Sequence, residues 1–386
     1  MRIVAHKLRD RRFGTQWKDE IEDRWEYADF LKDPGWRQDW ISFDCLCHDP
    51  ATDTIFCGIT SFDADIFRGW RRKEQAWFDC GYARVRNRYD AKFHRSLVRD
   101  RRDGCLYAAP ALLHDIDRFW EAPGAAIVRY DPVTNEIARL ATPMPHQYIQ
   151  ALILDEARDT LYGQTFTPEN LCSYDLRAGT TRWLGPTSSG FAMAQGENIE
   201  LDSAGNVWGV WTVTRAWQSD PGRDQHRFFR YDPREDRIEY LDKGLPRPDG
   251  AYGYARPEAF FNLGTDDLFV SGAGGALYRL DPRTGDAEFL FRAVGDEGRG
   301  RRSRLAAMRL GPDGCAYGVT GRDGECDVLR FNPADGAWSL LGPLRDSETG
   351  AAAWQIHDVC ITPDGTLYAG ENDHPQRSGY LWEIRL

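Results

Sequence analysis

The 386-residue chain has no apolar run long enough to span a bilayer, and its opening, MRIVAHKLRDRRFG, has no apolar core of signal-peptide length. A cytoplasmic location with no membrane partner is the expectation. A basic surplus is missing too: 49 Lys and Arg stand against 60 Asp and Glu, a formal net charge of -11. Nucleic acid is excluded as a bulk partner, because its binding needs a basic footprint. Paired CxxC spacing is absent from the nine cysteines, and Cys45 and Cys47 are too isolated for a zinc knuckle. They are expected to be small buried thiols. What is present is 41% hydrophobic and 13% aromatic residues, enough for a sizeable core.

A short unit recurs along the chain, in which acidic or turn residues precede a strand carrying an aromatic. Its copies are HDPATDTIFCG (48–58), RDRRDGCLYAA (99–109), DEARDTLYG (155–163), DSAGNVWGV (202–210), LGTDDLFVSG (263–272), GPDGCAYGV (311–319) and TPDGTLYAG (362–370). The marking aromatics are Phe56, Tyr107, Tyr162, Trp208, Phe269, Tyr317 and Tyr368. Their spacing of roughly 50 residues is that of a four-stranded propeller blade. Between them lies a second repeat, such as RYDPVTNEIARL (129–140) and RYDPREDRIEYL (230–241), which reads as a hairpin around an Asp-Pro turn. The sequence therefore predicts an all-β fold, a seven-bladed β-propeller in a single domain over 41–386.

The last copy ends at GYLWEIRL, a third strand with no fourth after it. An open edge is a liability, so residues 1–40 are expected to supply the closing strand, with RIVAHKL (2–8) as the candidate. Trp17, Ile21, Trp25, Ala28 and Leu31 fall at helical spacing and predict an amphipathic helix over 16–31.

In such a ring the first strands start on one face, where the connections between second and third strands also emerge. Long connections of this type are expected at 61–70, 111–125, 214–226 and 371–379, which marks that face for binding. Counting back from each aromatic to the start of its first strand gives a ring of polar residues. It contains Asp44; Lys92, His94 and Arg95; His146, Tyr148 and Gln150; Gln195, Glu197 and Asn198; Arg256 and Glu258; Arg302 and Arg304; and Gln355, His357 and Asp358. A packing core would be apolar at many of these positions.

Two chemistries suit that ring. His94, His146 and His357, with Gln355 beside the last, can hold a divalent cation, Ca or Mn, as the only cofactor. Arg95, Arg256, Arg302 and Arg304 can clamp a carboxylate, with Gln150, Trp120 and Trp217 as further substrate contacts. With the carboxylate neutralised, His94 or His146 removes the C5 proton of a uronic acid. Tyr148 or the other histidine protonates the leaving oxygen. The expected partner is an anionic oligosaccharide.

The segments KFHRSL (92–97), PHQYIQ (145–150) and WQIHD (354–358) resemble the propeller polysaccharide lyases, a grouping that includes oligogalacturonate, ulvan and rhamnose-glucuronate lyases. The resemblance implies a catalytic histidine pair at His94 and His146, a tyrosine at Tyr148, a carboxylate-binding Arg256 and metal ligands at Gln355 and His357. A second histidine closely following His357, which the manganese site of oligogalacturonate lyase has, is missing.

Two alternatives come from the same ring. A lactonase or hydrolase of the gluconolactonase-like propellers would use Glu197, Asn198 and Glu258 on one calcium. A non-catalytic propeller would present its Trp- and Arg-bearing loops to a glycan or a protein.

Overall fold

The computed structural model describes residues 1–13, 34–62, 65–112, 118–166, 168–189, 193–194, 196–214, 217, 225–293 and 304–386. Seven blade sheets follow one another along the chain, six antiparallel sheets of four strands and one, the fourth, of five, to which Ser188–Ser189 adds parallel to Val207–Val213. Blade 1 is built from Ser42–Asp49, Thr54–Thr60, Phe67–Arg71 and Ala76–Asp79. The first strands of blades 2 to 7 are Leu97–Arg99, Tyr148–Asp155, Glu200–Leu201, Pro257–Asn262, Leu305–Leu310 and Ile356–Ile361. Each packs beside the first strand of the next blade, and Ile356–Ile361 returns to Ser42–Asp49, so the ring is closed.

The repeats explain themselves in this architecture. Every marking aromatic lies on a second strand and is buried, filling the seams between blades. The Asp-Pro and Asn-Pro positions turn the outer hairpins by side-chain capping. Asp131 Oδ1 accepts from the Val133 amide at 2.9 Å, Asp232 Oδ1 from Arg234 at 2.8 Å, and Asn332 Oδ1 from Ala334 at 3.0 Å.

Closure is made by the N-terminal strand. Arg2–His6 pairs antiparallel with Leu381–Arg385, from Arg2 opposite Arg385 to His6 opposite Leu381. Ile3 enters the cluster of Trp382 and Ile384, and His6 Nε2 lies 2.9 Å from Glu383 Oε2. The helix expected over 16–31 lies outside the described residues.

The connection expected at 61–70 is shorter than that. Phe67–Arg71 pairs with Thr54–Gly58 as the third strand, because Phe67 and Trp70 bury into the first blade. Long connections do separate Leu106–Ala108 from Ile127–Asp131 and Val207–Val213 from Arg227–Asp232. All nine cysteines are free thiols, and eight of them are buried. Among the described residues no helix is long and apolar enough to cross a membrane.

Candidate functional site

The first and second strands of five blades do not pair in continuous register. Shifts fall between Phe43 and Cys45, Ile149 and Ala151, Pro257 and Phe260, Leu305 and Met308, and Ile356 and Asp358. A bulge frees its extra residue from the ladder and re-aims the side chain. The residues skipped include Asp44, Gln150, Glu258 and His357, all members of the predicted polar ring.

At the end of the axis where the first strands begin, His94, Glu197 and His357 converge from blades 2, 4 and 7, with ligand atoms within 4.8 Å of one another. Nε2 of His94 and Nε2 of His357 each lie 3.3 Å from Glu197 Oε2. Their other nitrogens are committed: His94 Nδ1–H donates to the Gln150 carbonyl at 3.1 Å and His357 Nδ1–H to the Asp44 carbonyl at 2.6 Å. A neutral imidazole with its proton on Nδ1 carries a lone pair on Nε2. Burial, assisted by Lys92, pushes the pKa of His94 well below the ordinary histidine value and keeps it neutral. Burial opposes ionisation of Glu197, but the Arg304 guanidinium beside it outweighs that and holds the carboxyl well below its usual range. Lone pairs thus face a carboxylate oxygen, and Glu197 Oε2 is buried without a hydrogen bond among the described residues. Such an arrangement is repulsive by itself and fits a cation at the common point.

Neighbouring residues fix the cluster. The Gln150 carbonyl holds His94, while its side-chain Nε2 donates at 3.0 Å to the carbonyl of Gly196, beside Glu197. Arg304 Nη2 donates to Glu197 Oε1 at 2.8 Å, and its Nε donates to Glu258 Oε1. This leaves only Oε2 of Glu197 toward the histidines. Tyr148 packs on Phe166, and burial with Glu169 and Glu197 nearby raises its phenol well above the usual pKa.

No protein-family model and no curated protein matches the chain. Among solved structures, it is similar to the extracellular domain of BT4673, a candidate hybrid two-component system of B. thetaiotaomicron, at 12% identity and TM-score 0.57, over 88% of this chain and 38% of that one. It is similar to the RRP9 WD40 repeats at 10% identity and TM-score 0.61, over 89% and 94%, and to U3-55K at 9% and 0.57, over 90% and 96%. The likeness is one of fold. The chain spans well under half the length of the first of these.

Within this propeller the other predicted site residues are dispersed. Gln355 does not join His357 at the cluster: its amide donates to Asn372 Oδ1 at 2.8 Å. Asn198 exchanges hydrogen bonds with the Phe260 backbone at 2.8 and 2.9 Å, and Glu258 accepts from Arg304, so of the three residues considered for calcium only Glu197 meets the histidines. Arg95 reaches across the axis, donating to the Ala306 carbonyl at 2.7 Å and to Asp358 Oδ1 at 3.4 Å. Neither Arg95 nor Arg304 is a free clamp, because each is consumed by pairing between blades. Arg256 is exposed. His146 has a left-handed backbone, φ 62°, and its Nδ1–H donates to the Ala122 carbonyl at 2.8 Å. The exposed Trp120 ring meets His146 edge-on, with centroids 5.2 Å apart, and Trp217 is 85% exposed.

Proposed function

We propose that this propeller is a divalent-cation-dependent carbohydrate lyase acting on uronic-acid-containing oligosaccharides. The observation that supports it is the convergence of two histidines, both with Nδ1 committed to backbone carbonyls, on one oxygen of Glu197. Two nitrogen donors and one carboxylate suit manganese better than calcium, which prefers all-oxygen sites. Held by His94, Glu197 and His357, such a cation supplies the charge that neutralises the substrate carboxylate and acidifies the C5 proton.

This assignment moves carboxylate neutralisation away from arginine, since Arg304 already serves two carboxylates. It also removes His94 from the role of base. His146 takes it: with Nδ1–H held by Ala122, its Nε2 carries the lone pair that accepts the C5 proton. Tyr148, whose raised pKa keeps the phenol protonated, gives its proton to the leaving oxygen as the C4–O bond breaks and a C4=C5 double bond forms. Trp120 offers a sugar-stacking face beside His146.

The test is a panel of uronate oligosaccharides followed at the ultraviolet absorbance of an unsaturated uronate. The chelated protein, the protein resupplied with Mn²⁺ and the Glu197→Gln variant are compared. Absorbance that rises only with Mn²⁺ and is lost in the variant is the expected result. Acid release without absorbance would assign a lactone or ester hydrolase instead, and no turnover of any substrate would leave a binding propeller.

A further inference from the structure

The far end of the axis holds a cavity of about 310 Å³, opposite the histidine cluster. Its lining mixes apolar side chains, Leu97, Val98, Leu152 and Ile199 among them, with the charged Arg95, Arg309 and Asp358. Arg95 and Arg309 share one carboxylate there, Asp358, whose Oδ1 accepts from Arg309 at 3.1 Å and from Arg95 at 3.4 Å. The arginines at the rim are already neutralised, Arg99 by Asp49 at 2.9 Å and Arg101 by Glu156 at 2.6 Å. Among the described residues the guanidinium groups of Arg95 and Arg309 therefore share a single hydrogen-bonded carboxylate. Glu200, which also lines the cavity, makes no ion pair with either arginine; its Oε1 accepts from the Leu201 amide at 3.0 Å. Arg309 uses one donor on Asp358 and one on its neighbour's carbonyl, and its side chain is 41% exposed.

The cavity is also tied to the cluster through the chain. His94, Glu197 and His357 face one end of the axis, and the residue after each, Arg95, Asn198 and Asp358, lines the cavity at the other. A ligand that draws Arg95 or Asp358 moves the peptide that carries a histidine of the cluster.

We propose that this cavity is a second ligand site, for an organic anion joining one carboxylate or phosphate group to a small apolar body, and that its occupancy is coupled to the His94–Glu197–His357 cluster. Arg309 binds the anionic group through its remaining donors, and the aliphatic walls take the apolar body. The coupling rests on the cation site proposed above; the anion site does not.

Fluorescence titration of the chelated full-length chain with 8-anilinonaphthalene-1-sulfonate tests the site, because this probe joins an anion to an apolar body. Saturable binding is expected, weakened at least about tenfold by Arg309→Gln and largely retained by Arg309→Lys. Val98→Trp, which fills the cavity and leaves its charges, abolishes it, with circular dichroism confirming that each variant is folded. Displacement by benzoate or by phenyl phosphate distinguishes the two head groups. No binding, or binding unchanged in both Arg309→Gln and Val98→Trp, overturns the site. For the coupling, saturating benzoate shifts the Mn²⁺ affinity of the unmodified chain by about fivefold or more and leaves that of Arg309→Gln unmoved. An equal Mn²⁺ affinity with and without benzoate overturns the coupling. Absence of any Mn²⁺ binding overturns the cation reading and the coupling with it, and the anion site is then decided by the probe titration alone.

Discussion

His94 and His357 meet edge to face, with ring centroids 4.6 Å apart and planes at 75°, and both direct Nε2 at the same oxygen of Glu197. Their separation in the chain is most of the propeller, so only the closed ring creates the pair. Because folding alone brings these donors together, a cation that binds them stabilises the folded state. Mn²⁺ at about 100 times its dissociation constant is expected to add about 2.7 kcal/mol. Thermal unfolding with and without Mn²⁺ reads this directly, and Glu197→Gln or His357→Ala should erase the shift.

Arg304 acts on the cluster through Glu197. Replacing it with Met leaves Glu197 and Glu258 as unpaired carboxylates in a largely buried setting. Mn²⁺ affinity should fall about 10- to 100-fold, as it does when a group supporting a ligand is lost. Calorimetric titration measures it. Glu258→Gln, which leaves the Arg304–Glu197 contact in place, should have the smaller effect.

Asp65 predicts a pH dependence of stability. Burial, with a hydrogen bond to Asp79 adding to it, raises its pKa to about 7. A carboxyl raised on folding binds more protons folded than unfolded, so the stability that Asp65 contributes falls as pH rises from about 4 to about 7 and is level above. Histidines depressed on folding, His94 among them, act in the opposite sense, so the readout is the difference from Asp65→Asn, which can still accept the Phe67 amide through Oδ1. The urea midpoint of the unmodified chain should fall relative to that of the variant across this window.

Ile3 on the closing strand is 4% exposed and packs with Trp382 and Ile384. Ile3→Ala should cost about 2–5 kcal/mol in a denaturant titration. A loss below about 0.5 kcal/mol, the range of ordinary surface changes, would contradict the view that this contact holds the ring shut.

Trp120 is 77% exposed, so Trp120→Ala should leave stability unchanged. If it stacks on a sugar, KM for an oligosaccharide should rise several-fold, corresponding to about 0.5–1.5 kcal/mol, with kcat little altered. Steady-state kinetics on substrates of increasing length separate these effects.

The blades were readable in the sequence because each is a local unit: an aromatic on the second strand and an Asp turn in the outer hairpin recur with every sheet. The closing strand was readable from the missing partner of GYLWEIRL. The polar ring was readable too, including His94, Glu197 and His357, but its internal pairing was not. Which members meet depends on distances across the axis, set by ring closure and by bulges at Asp44, Gln150, Glu258 and His357 that break the alternation used for counting. Hence Arg304 was assigned to substrate while it pairs with Glu197 and Glu258. Gln355 was assigned to metal from its closeness to His357 in the chain, where Glu197 from a distant blade stands instead.

The pairing of Arg2–His6 with Leu381–Arg385 sets an order on biosynthesis. Arg2–His6 is synthesised before the blades it closes and finds its partner only once Leu381–Arg385 has emerged, so early blades must wait as an open arc with an unpaired edge. His94 and Glu197 are translated long before His357, and a nascent or truncated chain presents at most two of the three donors. High-affinity retention of Mn²⁺ is thus expected of the completed ring and not of a stalled or shortened chain that still awaits its last blade.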